Sequence, residues 1–166
     1  MRIFFLLSLF LCCRFSGHAR SFTDTAYNFT ATTSQGKIMS LADYKGKFVL
    51  LDFWASWCRP CRSMSSKLKK LYNEFHPQGL EFIGIANEVN TDIQWKEAIE
   101  KDGIDSWAQI WDNNILPKYG VMSLPTLILI DPAGRIIQRF GGANIPRNKL
   151  RSYLKKAIGS SRLLKE

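Results

Sequence analysis

Three apolar runs recur along the chain, and each has the length of a single β-strand. Both alternating sets of positions in these runs are apolar, which is typical of strands that are buried on both faces of a sheet. We therefore predict three central strands, which lie within KFVLLDFW at 47–54, LEFIGIA at 80–86 and PTLILID at 125–131.

Between these runs the apolar residues follow a helical period. After Cys58 they recur every three or four positions, which predicts a helix with one face against a core. This apolar stripe consists of Cys61, Met64, Leu68, Leu71 and Phe75. The sequence also predicts a helix at 91–103 that ends at Gly103, a short and weaker helix at 112–121, and a last helix at 145–158.

Strands that alternate with helices indicate βαβ units and a parallel sheet. Two segments modify this picture. The pattern at 127–140 is that of an antiparallel hairpin, so the sheet is predicted to be mixed. Residues 27–40 predict two short strands around a Gln35-Gly36 turn, and one helical turn follows at 41–44. We therefore expect an α/β fold, a three-layer sandwich around a mixed central β-sheet with an N-terminal β extension.

The first residues are typical of a targeting segment and not of the fold. An early arginine precedes an apolar stretch at 3–13, and small residues follow, so we predict a secretory signal peptide at 1–19. The stretch is shorter than the roughly 20 residues of a transmembrane helix. Lipidation at Cys12 or Cys13 is the alternative. The prediction is an exported, periplasmic or otherwise extracytoplasmic protein with one domain at 20–166, membrane-tethered only if the signal is lipidated or uncleaved.

Length, composition and charge narrow the class of protein further. The chain has 166 residues, 46% of them hydrophobic, and a formal net charge of +9 at pH 7. This length and composition suit one packed globular domain. The basic residues form no long tract, which favours a solvated basic surface over attraction to an anionic membrane and gives no reason to expect a nucleic-acid partner.

Cys58 and Cys61 are the only cysteines outside the predicted signal peptide. A disulfide between them closes so small a loop that it adds little stability, so redox chemistry explains the pair better than cross-linking. Zinc needs three or four ligands, and outside the signal peptide only His76 is left to join the two thiols, so we expect no metal site. Haem attachment needs His after the second cysteine, where this chain has Arg62. No cofactor is expected.

The position of Cys58, where a buried strand gives way to a helix, favours its thiolate. Backbone N–H groups and the helix dipole stabilise negative charge at a helix N-terminus, and Arg59 acts in the same direction. Pro60 suits the first helical turn, where its missing N–H costs nothing. Cys61 begins the buried stripe and is shielded. We therefore predict that Cys58 attacks a substrate disulfide and that Cys61 resolves the mixed disulfide.

Asp52 lies in the middle of a buried strand, six residues before Cys58. An ionised carboxyl group is costly to bury without a partner, and burial raises its pKa. A carboxyl group with a raised pKa can exchange protons near neutral pH. The alternative is that Asp52 only satisfies hydrogen bonds within the core.

Three segments carry a resemblance to a known family. Residues 49–61, VLLDFWASWCRPC, closely resemble the active-site segment of the thioredoxin family. Residues 29–58 are similar to its exported TlpA/ResA-like branch, in which a strand-turn-strand unit precedes the core. Residues 119–137 resemble the segment that contains the family's cis-proline. The resemblance covers nearly all of residues 27–158 and implies a thioredoxin-like fold.

The resemblance also implies roles for single residues. Asp52 occupies the place of the buried acid that assists proton transfer with the resolving sulfur. Pro125 takes the place of the cis-proline opposite the cysteine pair, and the backbone of the preceding Leu124 pairs with the incoming substrate strand. Trp57 borders the sulfurs as an apolar contact surface. Trp54 either does the same or belongs to the core.

These observations predict an exported thiol-disulfide oxidoreductase that reduces protein disulfides, with a membrane electron donor or acceptor as partner and a monomeric state. A disulfide-donating oxidase or isomerase and a non-catalytic thioredoxin-like binding module are the alternatives. Peroxide reduction is disfavoured, since Leu51 and Ala55 replace the Pro and the Thr or Ser that a peroxiredoxin needs. Met64 and Ser66 stand where many relatives have Glu and Pro, so the substrate, the potential and the direction of electron flow stay open.

Overall fold

The computed structural model describes residues 25–89, 91–142 and 145–163, and the predicted signal peptide with its two cysteines lies outside these ranges. The strands are β1 (Thr30–Thr32), β2 (Ile38–Ser40), β3 (Phe48–Trp54), β4 (Leu80–Ala86), β5 (Ala108–Trp111), β6 (Thr126–Ile130) and β7 (Ile136–Gly141). The helices are α1 (Arg59–Phe75), α2 (Asp92–Asp102), α3 (Ile115–Lys118) and α4 (Arg147–Leu163), with 3-10 turns at Leu41–Tyr44 and His76–Gln78. Within these ranges every helix is too short or too polar to serve as a transmembrane span.

Five strands form the central sheet in the order β5-β4-β3-β6-β7. β3 and β4 are parallel, as are β4 and β5, whereas β6 runs antiparallel to both β3 and β7. The prediction of a mixed sheet is confirmed, and β1 and β2 form the separate N-terminal hairpin. β5 was not predicted, because its four residues are too few to show a period and include the polar Gln109.

Both faces of the sheet are covered, which confirms the predicted three-layer sandwich. Helices α1, α2 and α4 pack on one face, and the β1–β2 hairpin, the first 3-10 turn and α3 pack on the other. Because side chains alternate along a strand, β3 contributes to both layers. Its contacts on the helical face include Phe48, Leu50 and Trp54, and those on the hairpin face are Val49, Leu51 and Phe53.

The carboxyl ends of β3 and β4 lie side by side at one edge of the sheet. Trp54 ends β3, and α1 begins five residues later at Arg59. The N–H of Asn87, just after β4, donates to the carbonyl of Trp54 at 2.9 Å. The loop before α1 and the loop after β4 are therefore neighbours, and the two cysteines lie at this edge.

Candidate active site

Cys58 is the residue that caps the N-terminus of α1. Its backbone is extended, with φ −83° and ψ 95°, and its sulfur accepts a hydrogen bond from the N–H of Cys61 at 3.3 Å. Pro60 lies in the first turn, where a proline fits because the N–H that it lacks has no intrahelical partner. The sulfur of Cys58 thus lies at the positive end of a 17-residue helix, where a thiolate is favoured.

Cys58 and Cys61 are joined by a disulfide, with their Cα atoms 5.3 Å apart. Both residues are buried, but they differ in their surroundings. Cys58 lines a surface groove, whereas Cys61 belongs to the buried stripe of α1 together with Met64 and Leu68. Of the two cysteines, Cys58 is therefore the one that lies beside the groove.

The groove beside Cys58 has a volume of about 430 Å³ and brings together five of the residues predicted for the site. These residues are Trp57, Cys58, Arg59, Pro60 and Leu124. Trp57, which is 51% exposed, and Met122, which is 95% exposed, also line the groove, so it offers two exposed apolar side chains to a partner. Trp54 instead belongs to the core, where its indole N–H donates to the side-chain oxygen of Gln109 at 3.1 Å.

The loop before β6 forms the wall of the groove that faces the cysteines. The Leu124-Pro125 peptide bond is cis, Leu124 lines the groove, and Pro125 is buried. The carbonyl of Pro125 accepts from the N–H of Gly142 at 3.0 Å. Within the described residues, neither the N–H nor the carbonyl of Leu124 makes a hydrogen bond. Among the described residues the backbone of Leu124 therefore has no partner, and the residue lines the groove.

Asp52 is buried on the helical face of β3, the face against which Cys61 packs. It is 5% exposed, and it lies in the alternating set with Leu50 and Trp54, which pack in the same cluster as Cys61. Burial raises the pKa of Asp52 from 3.8 to about 7, because the ionised carboxylate loses its hydration. In the described part of the chain, no hydrogen bond or ion pair reaches this carboxyl group. The alternative, that Asp52 only satisfies hydrogen bonds within the core, therefore has no supporting hydrogen bond in the described part of the chain.

Gln109, which the sequence analysis missed, lies in the same layer as Asp52. It pairs in register with Gly84, which in turn pairs with Asp52. A Cβ on Gly84 would lie 1.9 Å from the side-chain oxygen of Gln109, so only glycine leaves room for this amide. Gln109 also donates to the carbonyl of Ile104 at 2.9 Å. Gly84, inside the LEFIGIA run, was the sequence signal that another side chain packs closely against β4 at this position.

Glu88 is the second residue that the sequence analysis missed. It follows β4 at the carboxyl edge of the sheet, is 2% exposed, and its carboxyl group accepts hydrogen bonds from Ser56. The sequence signal that could have identified Glu88 is an acid two residues after the end of a predicted buried strand. The sequence alone did not show that its partner lies in the loop before Cys58.

Comparison with known proteins agrees with this geometry. A family model described as the AhpC/TSA family matches residues 22–139. The thiol-disulfide oxidoreductase ResA of Bacillus thuringiensis subsp. konkukian is 36% identical over 141 residues, which cover 79% of this chain and 75% of that protein. ResA of Bacillus subtilis is 32% identical over 114 residues, which cover 68% of this chain and 63% of that protein.

Solved structures give the same picture. The thioredoxin domain of a thiol-disulfide oxidoreductase from Bacteroides vulgatus has a TM-score of 0.69 and 31% identity, covering 80% of this chain and 96% of that domain. A thiol:disulfide interchange protein from Bacteroides sp. has a TM-score of 0.71 and 30% identity, covering 82% of this chain and 90% of the other. From its family match, its relatives and its disulfide-bonded Cys-x-x-Cys pair, the chain belongs to the AhpC/TSA family and is a thioredoxin-like thiol-disulfide oxidoreductase.

Proposed function

We propose that this protein acts outside the cytoplasm as a reductase of protein disulfides, with Cys58 as the attacking and Cys61 as the resolving sulfur. The observation that carries the proposal is the asymmetry of the pair: Cys58 caps a helix and lines an open apolar groove, whereas Cys61 is buried behind it. An attacking sulfur needs a stabilised thiolate and access to its partner, and a resolving sulfur needs only access to the first.

The proposed cycle starts from the reduced pair. The Cys58 thiolate attacks one sulfur of the substrate disulfide, which forms a mixed disulfide and releases the other substrate sulfur as a thiolate that takes up a proton. The Cys61 thiolate then attacks the Cys58 sulfur, which closes the Cys58–Cys61 disulfide and releases the second substrate thiol. The substrate gains two electrons and two protons, and the protein loses them.

Asp52 is proposed to accept the proton of Cys61 in the second step. A buried carboxyl group with a pKa of about 7 is divided between its two forms near neutral pH, so it can take up and return a proton in each cycle. Asp52 is only 5% exposed, and its strand neighbours Leu50 and Trp54 pack in the same cluster as Cys61, which supports a proton transfer on that side of the pair.

Leu124 is proposed to pair with an extended segment of the substrate, beside Trp57 and opposite Cys58, through its backbone, which makes no hydrogen bond to another described residue. Backbone pairing of this kind tolerates different side chains, which suits an enzyme that acts on several proteins. Arg59 and Pro60 are proposed to tune the potential of the pair, because they flank Cys58 in the first turn of α1.

The partners and the location are proposed from the relatives and from the predicted signal peptide. Proteins named thiol-disulfide oxidoreductase imply protein thiols and disulfides as substrates. A reductase outside the cytoplasm needs a source of two electrons per cycle, and we propose a membrane electron donor for this role. The protein is proposed to act as a monomer.

The first experiment is the equilibrium reduction potential of the Cys58–Cys61 pair in glutathione buffers. A value near thioredoxin's, roughly −270 mV, supports a reductase, and a value near about −120 mV indicates an oxidant that installs disulfides. A pair that does not cycle would leave a binding module as the function.

The roles of the two sulfurs are tested with insulin as the disulfide substrate. Cys61→Ser is expected to accumulate a covalent adduct that peptide mass spectrometry assigns to Cys58, because the second step is blocked. Cys58→Ser is the matched variant and is expected to form no adduct at Cys61. An adduct at Cys61 in that variant would reverse the assignment.

A further inference from the structure

The loop between β3 and α1 is held from one side by a buried acid. Glu88 directs both carboxyl oxygens at one residue, Ser56: the N–H of Ser56 donates to Oε1 at 2.5 Å, and its hydroxyl donates to Oε2 at 2.7 Å. Ser56 is two residues before Cys58. In the described part of the chain, no lysine, arginine or histidine forms an ion pair with Glu88.

Glu88 is itself fixed by its backbone. Its N–H donates to the side-chain oxygen of Asn113 at 3.1 Å, and its carbonyl accepts from the amide of the same Asn113 at 2.9 Å. The indole N–H of Trp111, at the end of β5, donates to that side-chain oxygen at 3.0 Å. The carboxyl group of Glu88 is therefore presented to Ser56 from a rigid support, and a fixed support is what precise positioning requires.

The same loop is held from the other side by α1. The guanidinium group of Arg62 donates to the carbonyl of Ser56 at 3.2 Å, and Asp102 at the end of α2 binds that guanidinium group through two of its nitrogens. The N–H, the hydroxyl and the carbonyl of Ser56 thus all have fixed partners. The segment that leads into Cys58 is held between the loop after β4 and the first turn of the helix.

We propose that Glu88 is a positioning residue for the disulfide exchange, which holds the Ser56 loop so that the sulfur of Cys58 stays at the N-terminus of α1. Without this acceptor the partly buried N–H of Ser56 would lose its hydrogen bond to Glu88, and the loop would rearrange. Cys58 would then lose part of its contact with the helix N–H groups, and its thiolate would be less stable. The inference rests on the proposed function, in which Cys58 is the attacking thiolate.

The test compares Glu88→Ala with Glu88→Gln in the full chain. Both variants lack the acid, so any direct effect of its charge on Cys58 is removed equally. They differ in hydrogen bonding, because glutamine keeps an acceptor for the Ser56 N–H and a donor for its hydroxyl. The reaction of reduced Cys58 with iodoacetamide is followed from pH 5 to 10 by peptide mass spectrometry, which reports Cys58 separately from every other cysteine. Glu100→Ala, an exposed position on α2, is the control.

The expected result is a difference in the pH profile of Cys58 alkylation. Glu88→Ala should react about tenfold more slowly than Glu88→Gln at pH 7, which corresponds to a midpoint about one pH unit higher. Glu88→Gln should restore the midpoint to or below that of the wild-type protein, and Glu100→Ala should leave it unchanged. Equal profiles for the two Glu88 variants, whatever their stability, would overturn the proposal, since a purely structural acid does not alter Cys58 in the folded protein.

A second variant keeps the test decisive if Glu88→Ala does not fold. Ser56→Ala removes only the hydroxyl contact and keeps the backbone hydrogen bond, so we expect slower alkylation by a factor of about three. Ser152→Ala, on the exposed face of α4, is its control. A Ser56→Ala profile that coincides with this control would also overturn the proposal. Failure of the positioning role leaves the glutathione equilibrium and the insulin adduct intact, so it is distinguishable from failure of the proposed function.

Discussion

The two faces of β3 are equally buried but chemically different. On the hairpin face, Val49, Leu51 and Phe53 pack among apolar and aromatic side chains. On the helical face, the same strand carries Asp52 and the indole N–H of Trp54. One strand thus separates an apolar core from a core that contains polar groups.

Two polar side chains of the helical face, those of Asp52 and Gln109, lie in one row across the sheet. Asp52, Gly84 and Gln109 are neighbours in register on β3, β4 and β5. Their layer leads to the carboxyl edge, where Cys58 and Cys61 lie. Buried polar groups lower stability unless they are paired. Trp54 and Gln109 are paired, whereas Asp52 makes no hydrogen bond or ion pair in the described part of the chain, so the cost of burying it fits the proton-transfer role proposed for it.

The largest expected effect is on the free energy of unfolding, and it comes from replacing the buried acid Asp52. The folded protein holds the Asp52 proton up to about pH 7, whereas the unfolded chain releases it near pH 3.8. Between these values the folded state binds more protons, so the free energy of unfolding falls as pH rises through this window, by roughly 4 kcal/mol in total. In Asp52→Asn this fall should disappear, and the variant should be more stable than the wild-type protein at pH 8.

The measurement is urea unfolding of the oxidised protein from pH 4 to pH 8. Asp131→Asn is the matched control, because Asp131 is also buried but has a pKa that is lowered: hydrogen bonds from Arg135 and Ala133 outweigh the effect of burial. Its contribution is present at neutral pH and is lost as pH falls, which is the opposite sign. An Asp52→Asn curve parallel to that of the wild-type protein would show that the acid is not protonated in the folded state.

The apolar face gives the complementary prediction. Leu51→Ala should lower the free energy of unfolding by about 3 kcal/mol, because a fully buried leucine leaves a cavity. The reduction potential of the cysteine pair and the alkylation of Cys58 should not change. Leu50→Ala is the matched variant: it should lose similar stability, and because Leu50 packs in the same cluster as Cys61 it should also shift the reduction potential. A shift in potential for Leu51→Ala as large as that for Leu50→Ala would break the distinction between the two faces.

A smaller effect is expected at the close approach between β4 and β5. In Gly84→Ala the new methyl group would displace the side-chain amide of Gln109. The indole N–H of Trp54 would then lose its hydrogen-bond acceptor. We expect a loss of about 2 kcal/mol in thermal or urea unfolding. Gly159→Ala on α4 is the control: its Cβ meets nothing within 4 Å, and alanine favours helices, so stability should rise slightly. Equal stabilities of the two variants would mean that Gln109 moves without cost.

The sequence predicted the fold well where burial is uniform. The three central strands are apolar on both faces, and the stripe of α1 coincides with its buried side, so hydrophobic period alone located them. The mixed sheet followed from the hairpin at 127–140, since two strands joined by a short turn must run antiparallel. Edge strand β5 was missed because it has only four residues, one of which is the polar Gln109, so its sequence shows no clear hydrophobic pattern.

The site was predictable to the extent that it is local in the chain. The place of Cys58 at a helix N-terminus follows from a strand that runs into a helix, and Asp52 stood out as an acid in an apolar run. The contact of Glu88 with Ser56 joins residues 32 positions apart, and it depends on the parallel pairing of β3 and β4. Periodicity reports which residues are buried, but it does not report which buried polar groups meet.

The smallest expected effect on the free energy of unfolding is that of Arg62→Lys. This variant tests whether Arg62 or Glu88 contributes more to holding the Ser56 loop. Arg62 and Asp102 are partly exposed, with side-chain exposures of 24% and 12%, so water screens their ion pair more than it screens the contact of Glu88. Arg62→Lys loses the two-nitrogen contact with Asp102 but keeps the charge, and it should lower the free energy of unfolding by about 1 kcal/mol.

The control for Arg62→Lys is Lys96→Ala, which breaks a half-exposed ion pair with Asp92 on the surface of α2 and should cost less than about 0.5 kcal/mol. Urea unfolding measures both changes, and alkylation of Cys58 in the same variants tests the loop. We expect Arg62→Lys to slow alkylation less than Glu88→Ala does, because Arg62 holds only the carbonyl of Ser56. A larger effect from Arg62 would mean that α1, and not the loop after β4, fixes the segment before Cys58.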